Sequence, residues 1–347
     1  MKLAVVGAGI HGLCVARHAV QRGWDVHVYD QGCIPNPLSS SFDEHRLIRY
    51  PYGHDDGYTA LVATAYEAWE RMWPLLGDRY HIETGTLAIS RRTTGFIEAS
   101  VKAMQRLGIA VDIIDTEQAK ALVPHVRVHD DEEVLWSPTG DALLAHRILV
   151  ALVRTCREHG VHLHERHKVR EGHEFAYADC TFWARGAWAS GVLPSRQSIA
   201  YFRPPATWKT CRHPMVLDLA GDDGFYLVPG VAKSGWKLGV HRSSGAGHPD
   251  DIRSLTSDEL KRLGTLARTR LQGLSSDMRL TGLACYYALV DKGRFQLHGS
   301  PRIMEFRGGS GHSFKFGALV GETVCQVAAG ETDFGDAQKL LAGQVVI

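Results

Sequence analysis

Residues 2–30 read Lys2-Leu-Ala-Val-Val-Gly7-Ala-Gly9-Ile-His-Gly12-Leu-Cys-Val-Ala-Arg-His-Ala-Val-Gln21-Arg-Gly-Trp-Asp-Val-His-Val-Tyr-Asp30, and this stretch decides the fold class. Leu3 to Val6 are a short apolar run suited to a buried strand, Ile10 to Gln21 suit a helix, and Val26 to Tyr29 suit a second buried strand. Strand, loop, helix and strand make one βαβ unit, so an α/β fold is expected. Gly7-x-Gly9-x-x-Gly12 lies where the first strand passes into the helix, the context in which such a motif holds a dinucleotide. Gly7 permits the tight turn, Gly9 lets the backbone approach a pyrophosphate, and Gly12 allows close helix packing. Ile10 and His11 open the helix, whose N-terminus offers N–H groups to the anion. Asp30 follows Gly12 by 18 residues and is placed to accept from ribose hydroxyls. The loop by itself fits NAD and FAD equally.

The chain has 347 residues, 44% of them hydrophobic, enough for a well-buried core and about two domains. A formal net charge of +1, with Lys and Arg spread along the sequence, supplies no concentrated basic field for nucleic acid. No apolar stretch approaches the ~18 residues of a membrane span, and the first strand begins at once, without space for a signal peptide. A cytoplasmic monomer acting on small molecules, without nucleic acid or membrane partners, is expected. The seven cysteines (14, 33, 156, 180, 211, 285 and 325) are odd in number and widely spaced, which opposes a disulfide framework or structural zinc. Most are read as buried thiols. His162-Leu163-His164 sets two imidazoles on one face of a strand; no metal is assigned to them.

Further along, Leu61, Ala65, Trp69 and Met72 fall at helical spacing within 58–72, and Phe96, Val101, Met104 and Leu107 mark a second amphipathic helix before a strand at 110–114. Residues 143–157 read as a long helix ending near Gly160, followed by a strand at 161–164. From about 196 to 240 the pattern turns to short strands punctuated by Pro and Gly, and 257–271 is a polar-faced helix before strands around Ala284 and Ile303. The absence of repeats or long linkers points to interleaved domains. The expected division is a Rossmann-like cofactor domain of residues 1–84, 141–195 and 283–347, and a smaller β-sheet-rich substrate domain of 85–140 and 196–282.

Ser39-Ser40-Ser41 with Asp43, His45-Arg46-Leu47-Ile48-Arg49 and Tyr52-Gly53 resemble the monomeric sarcosine oxidase family, flavoproteins related to D-amino acid oxidase. Ala184-Arg185-Gly186-Ala187-Trp188, Trp236 to His241, Cys285-Tyr286-Tyr287 and Gly309 to Phe316 extend the resemblance over nearly the whole chain in the family's order. The resemblance implies a D-amino acid oxidase-like fold, FAD, and oxidation of an amine next to a carboxylate. It implies that Cys285 forms a thioether to the 8α-methyl carbon of the flavin, and that Ser40, Gly186, Trp188, Gly311 and His312 belong to the cofactor site. Arg49 and Lys315 match the pair of cations that hold the substrate carboxylate, a guanidinium gripping with two parallel bonds and an ammonium adding a point charge. Lys237 matches the lysine that promotes reaction of the reduced flavin with oxygen. A fixed positive charge there stabilises the first-formed superoxide. Arg46 and His45 match residues on the flavin face away from substrate, and Tyr226 and His241 match polar groups of the substrate pocket.

The implied reaction is hydride transfer from a carbon beside a secondary or cyclic amine of an amino acid to FAD, giving an imine, with oxygen reduced to hydrogen peroxide. Tyr226 or His241 could assist amine deprotonation by position. Two rival readings share the fold: a dehydrogenase passing electrons to another acceptor, and a non-catalytic flavin-binding protein. The chain departs from the family pattern where 169–177 is shortened and where one extra residue separates Asp43 from Arg46. Asp30 stands where a glutamate is usual, and Pro51, Trp236 and Tyr286 also differ.

Overall fold

In the computed structural model the described residues are 1–208, 213–221, 224–241, 245–275 and 278–344. Lys2–Val6 is buried from Leu3 onward and pairs in parallel with Asp25–Tyr29 on one side and Cys180–Trp183 on the other. These strands are the middle of a six-stranded sheet in the order 296–300, 303–307, 180–183, 2–6, 25–29, 162–164. Helix Ile10–Gln21 returns across it and packs on helices Gly317–Ala328 and Ala145–Glu158. The side chains between sheet and helices, from Leu3 and Val5 to Leu152 and Val324, form the main core. The expected α/β class and opening βαβ unit are present.

A second, nine-stranded sheet runs in the order 245–246, 193–202, 236–240, 225–228, 215–218, 86–91, 132–137, 112–114, with Thr281–Leu289 paired along Leu193–Phe202. Helix Ser257–Arg270 covers one face, burying Leu263 and Ala267 against a separate core that includes Leu227 and Leu238. That helix starts with a full capping box, Thr256 and Glu259 each satisfying the other's backbone N–H. Strands 193–202 and 281–289 contain the expected divisions at 195/196 and 282/283, and both lie wholly within the nine-stranded sheet, paired with each other.

Two details differ from the sequence expectation. The long helix begins at Ala145, because Asp141–Leu143 is taken as the centre of a three-stranded sheet between Arg46–Ile48 and His81–Glu83. Pairing on both sides outweighs local helical pattern there. The strand near 110 is only Asp112–Ile114, an edge strand. Residues 165–179 contain no strand, in keeping with the shortening expected at 169–177. Cys14, Cys156, Cys180, Cys285 and Cys325 are buried free thiols, whereas Cys33 is exposed and Cys211 lies outside the described residues. No described helix is long and apolar enough to cross a membrane.

Helix Asp56–Leu76 does more than fill the core. Trp69 is 1% exposed, stacks on Trp73 at 4.6 Å, and donates its indole N–H to the backbone oxygen of Lys315 at 2.6 Å. The helix thereby fixes the turn that carries Lys315.

Candidate active site

The glycine loop lines a cavity of about 590 Å³, within the ~300–1,000 Å³ typical of ligand pockets. Gly7 has φ +105°, and a Cβ there would overlap the carbonyl oxygen of Ala184; a Cβ on Gly12 would overlap the carbonyl oxygen of Gly7. Only glycine fits either position. Gly9, Ile10 and His11 face the cavity, with Gly186, Trp188 and Gly311 across from them. Asp30 also lines it, and its carboxylate braces the loop: Oδ2 accepts from Ala8 N–H at 2.8 Å, Oδ1 from Gly32 N–H at 2.8 Å and Asn36 Nδ2 at 2.9 Å. Oδ2 retains a lone pair for a further donor. Ser40 donates its hydroxyl to the Tyr286 carbonyl, and it is Ser41 that accepts the Ile10 N–H, at 3.0 Å. Trp188 donates to Asp250 at 2.7 Å. His11 Nε2 lies 3.3 Å from the Ser313 carbonyl, and burial pushes its pKa down to about 4, so the ring is neutral.

A smaller cavity of about 240 Å³ adjoins this one, sharing Arg46, Tyr287, Gly311 and Phe314 with it. Arg49, Lys237, Lys315, Tyr226, His241, His312 and Cys285 all line it. The folding together is long-range. Cys285 comes from strand Thr281–Leu289, Lys237 from Trp236–Val240, Tyr226 from Phe225–Val228, and Arg46 and Arg49 from strand Arg46–Ile48 and just beyond it. Register sets Tyr226 opposite Gly239, where the missing side chain makes room for the phenol ring.

Four basic side chains and no acidic one line the smaller cavity among the described residues. Arg49 donates to the Pro51 carbonyl and lies over the Tyr52 ring at 4.8 Å. Lys315 donates to Tyr52 Oη at 2.8 Å, which also meets His312 Nδ1 at 3.0 Å. Burial and then the Arg49 guanidinium push the Lys315 ammonium well below its usual range. Two cations held together without a carboxylate attract an anion strongly in so enclosed a space. Burial, then the charges of Lys315 and Arg49 respectively, bring His312 and His241 down to about 3. Both are neutral, and His241 Nε2 has no hydrogen-bond partner among the described residues. Burial raises Tyr226 well above its normal value, so it keeps its proton.

Lys237, like Arg46, differs from the other two in having an ionic partner. Its side chain is 2% exposed, its ammonium contacts Asp43, and it donates to the His45 carbonyl at 3.1 Å. The same Asp43 carboxylate accepts from Tyr201 Oη and pairs with Arg46. Burial and the Arg46 guanidinium lower the Lys237 pKa, while the touching carboxylate opposes that pull. Asp43 and Tyr201 are the site residues the sequence reading omitted. Asp43 stood in the quoted motif, an acid among cations, and that was its only signal. Tyr201 had none, since only sheet register sets it beside Lys237.

One expected cofactor residue is misplaced. His45 is 0% exposed, lines neither cavity, and sits edge-on to Tyr201 at 5.9 Å between ring centres. Successive side chains along an extended segment point to opposite sides, so turning Arg46 into the cavities turns His45 away. Burial and then the Lys237 charge push its pKa down to about 3.

Glycine loop, adjoining cavities and clustered cations define a dinucleotide-dependent redox protein. The chain belongs to the FAD-dependent oxidoreductase family whose model, described as "DAO: FAD dependent oxidoreductase", matches residues 2–327. It is 22% identical over 362 residues to monomeric sarcosine oxidase of Bacillus sp. (strain NS-129), covering 95% of this chain and 93% of that protein. It is 24% identical over 357 residues to N-methyl-L-tryptophan oxidase of Citrobacter koseri, covering 95% of each. Two solved structures share the fold: L-proline dehydrogenase from P. horikoshii (TM-score 0.83, 18% identity, 99% of this chain and 96% of that one) and NikD, an amino acid oxidase of nikkomycin biosynthesis, in its open form (TM-score 0.82, 18%, 99% and 98%). The D-amino acid oxidase-like fold expected from the motifs is thus established.

The residues present fit FAD. The helix 10–21 starts at Gly9 with no acidic residue in its first turn, and although Ser41 takes the Ile10 N–H, the helix's positive end faces the cavity where a pyrophosphate would lie.

Proposed function

We propose that this protein is an oxidase of a secondary or cyclic amino acid, of the sarcosine, N-alkyl, proline or pipecolate type. The products would be an imine and hydrogen peroxide. One observation carries the reading: the cavity beside the dinucleotide site is lined by Arg46, Arg49, Lys237 and Lys315 and by no acid among the described residues. FAD, when bound, supplies the hydride acceptor and the route for electrons to oxygen.

The chain's own residues then have distinct tasks. Arg49 and Lys315 bind the substrate carboxylate and fix the Cα–N bond in the cavity. Leu217, Tyr287 and Phe314 exclude water from the apolar part of the substrate. Tyr226, protonated, acts as a hydrogen-bond donor, and neutral His241 as an acceptor for an amine N–H through Nε2. With pKa values displaced this far, neither is a base at neutral pH, so the amine enters unprotonated or loses its proton to water. Lys237 supplies the fixed positive charge for oxygen reduction. Cys285, a buried free thiol in the same cavity, is proposed to hold the flavin covalently.

An anaerobic screen for flavin bleaching with sarcosine, N-methyl amino acids, proline, pipecolate and larger cyclic imino acids tests the substrate class; no bleaching by any of them rejects it. Acid precipitation tests the link: flavin should stay with the wild-type protein and leave Cys285→Ala. The Asp43 carboxylate on Lys237 favours one rival, a dehydrogenase, since it offsets the charge that oxygen needs. Stopped-flow reoxidation separates the two, an oxidase reacting rapidly with oxygen and a dehydrogenase sluggishly.

A further inference from the structure

Strand Asp25–Tyr29 presents Asp25, His27 and Tyr29 on one face of the six-stranded sheet, and parallel pairing with the edge strand sets His162 beside His27 and His164 beside Tyr29. The relevant neighbour of His162 is therefore a histidine on another strand. His27 Nε2 lies 3.4 Å from Asp25 Oδ1, and His162 Nε2 lies 3.9 Å from the same oxygen. The three ligand atoms all fall within 4.8 Å of one another. Tetrahedral zinc with bonds of about 2.0–2.2 Å needs donors about 3.3–3.5 Å apart, so small side-chain adjustments complete the geometry.

A second observation concerns the far side of His27. Its Nδ1 lies 3.0 Å from His164 Nε2. With the hydrogen on Nδ1, donated to His164, the Nε2 lone pair points at Asp25. That is the tautomer a metal requires, and an oriented ligand histidine of this kind is the usual outer-shell arrangement. His27 and His162 stack at 4.5 Å, their rings already side by side.

We propose that Asp25, His27 and His162 form a binding site for one divalent cation of the zinc type, with water completing the coordination and His164 positioning His27. Two imidazoles and one carboxylate suit zinc, nickel or copper and not magnesium or calcium, which prefer all-oxygen shells. The site is separate from the redox centre. Asp25 begins the strand and Asp30 lies just beyond its other end, about 16 Å away at ~3.3 Å per residue. A bound ion would fasten the three-residue edge strand His162–His164 to its neighbour, and that strand in turn accepts the Asp30 N–H through the His164 carbonyl at 3.0 Å. Metal occupancy thus supports the strand end next to the cofactor.

The test uses tag-free holoenzyme stripped with a chelator and titrated with Co²⁺ as a spectroscopic probe and with Zn²⁺ in competition. One Co²⁺ per chain with tetrahedral d–d bands is expected, displaced by Zn²⁺, with a thermal midpoint that rises with zinc concentration. His162→Gln, at an exposed position, should lose that equivalent while keeping the chelator-treated midpoint of the wild type. His27→Gln should do the same, and His164→Gln should weaken binding about 10–100-fold. Absence of a saturable equivalent overturns the proposal, as does an equivalent that survives both His27→Gln and His162→Gln.

Discussion

Replacing Asp43 by asparagine takes away the carboxylate held between Lys237 and Arg46 while preserving the side chain's shape. Lys237 and Asp43 are 2% and 1% exposed at their side chains, so the ammonium left behind cannot be rescued by water. Removing one member of such a buried pair costs about 3–5 kcal/mol. At ~2.1 cal/mol/K of unfolding entropy per residue, a 347-residue chain loses about 1.4 °C per kcal/mol, so the midpoint should fall by about 4–7 °C. Lys237→Met alone leaves Asp43 with Arg46 and Tyr201 and should cost less. In the double variant neither charge is stranded, so the losses should fall short of additive by about 2 kcal/mol. Thermal and urea unfolding of the four holoproteins measure this directly. The asparagine variant should also imitate Lys237→Met in the oxygen half-reaction. Without Asp43, burial and Arg46 act on Lys237 unopposed and lower its pKa further, weakening the positive charge that oxygen reduction uses. Additivity within about 0.5 kcal/mol, or unchanged oxygen reactivity in Asp43→Asn, would refute the reasoning.

Gly12→Ala places a methyl group on the Gly7 carbonyl, so the protein should purify with little or no flavin, read from its visible-to-protein absorbance ratio. Arg49→Ala and Lys315→Ala should each lower kcat/KM about 10–150-fold, the equivalent of a charged hydrogen bond of about 1.5–3 kcal/mol. The loss should appear mainly in KM and vanish with a substrate amide; equal losses with acid and amide would separate these residues from the carboxylate. Acid should destabilise the fold through His45 and His213, both brought to about 3 by burial. The unfolded chain binds these protons near pH 6.5, so the stability is complete above that pH and declines as pH falls toward 3, by about 1.4 kcal/mol per unit for each ring. Urea titrations between pH 5.5 and 4.5 should give a slope of at least about 2.7 kcal/mol per unit, and a slope of about half that or less would mean that at least one ring is charged in the folded state.

The first thirty residues determined the βαβ unit and the dinucleotide loop by themselves. Turn, helix start and strand are local events, and Gly7, Gly12 and Asp30 act within one short segment. The motifs at Arg49, Lys237, Cys285 and Lys315 made the candidate site readable in outline, because each residue type suits its expected task. Local pattern misled at the start of the helix expected from 143, where Leu143 pairs with two distant strands instead, and the resemblance misled at His45, which was counted with the cavity although it is turned from it. What only the tertiary structure decided is which charges meet. Asp43 reaches Lys237 across 194 positions, and His27 reaches His164 across 137. Coulomb energies and metal geometry depend on separations of a few ångströms in a low-dielectric interior, and those are fixed by sheet register, which no local pattern encodes.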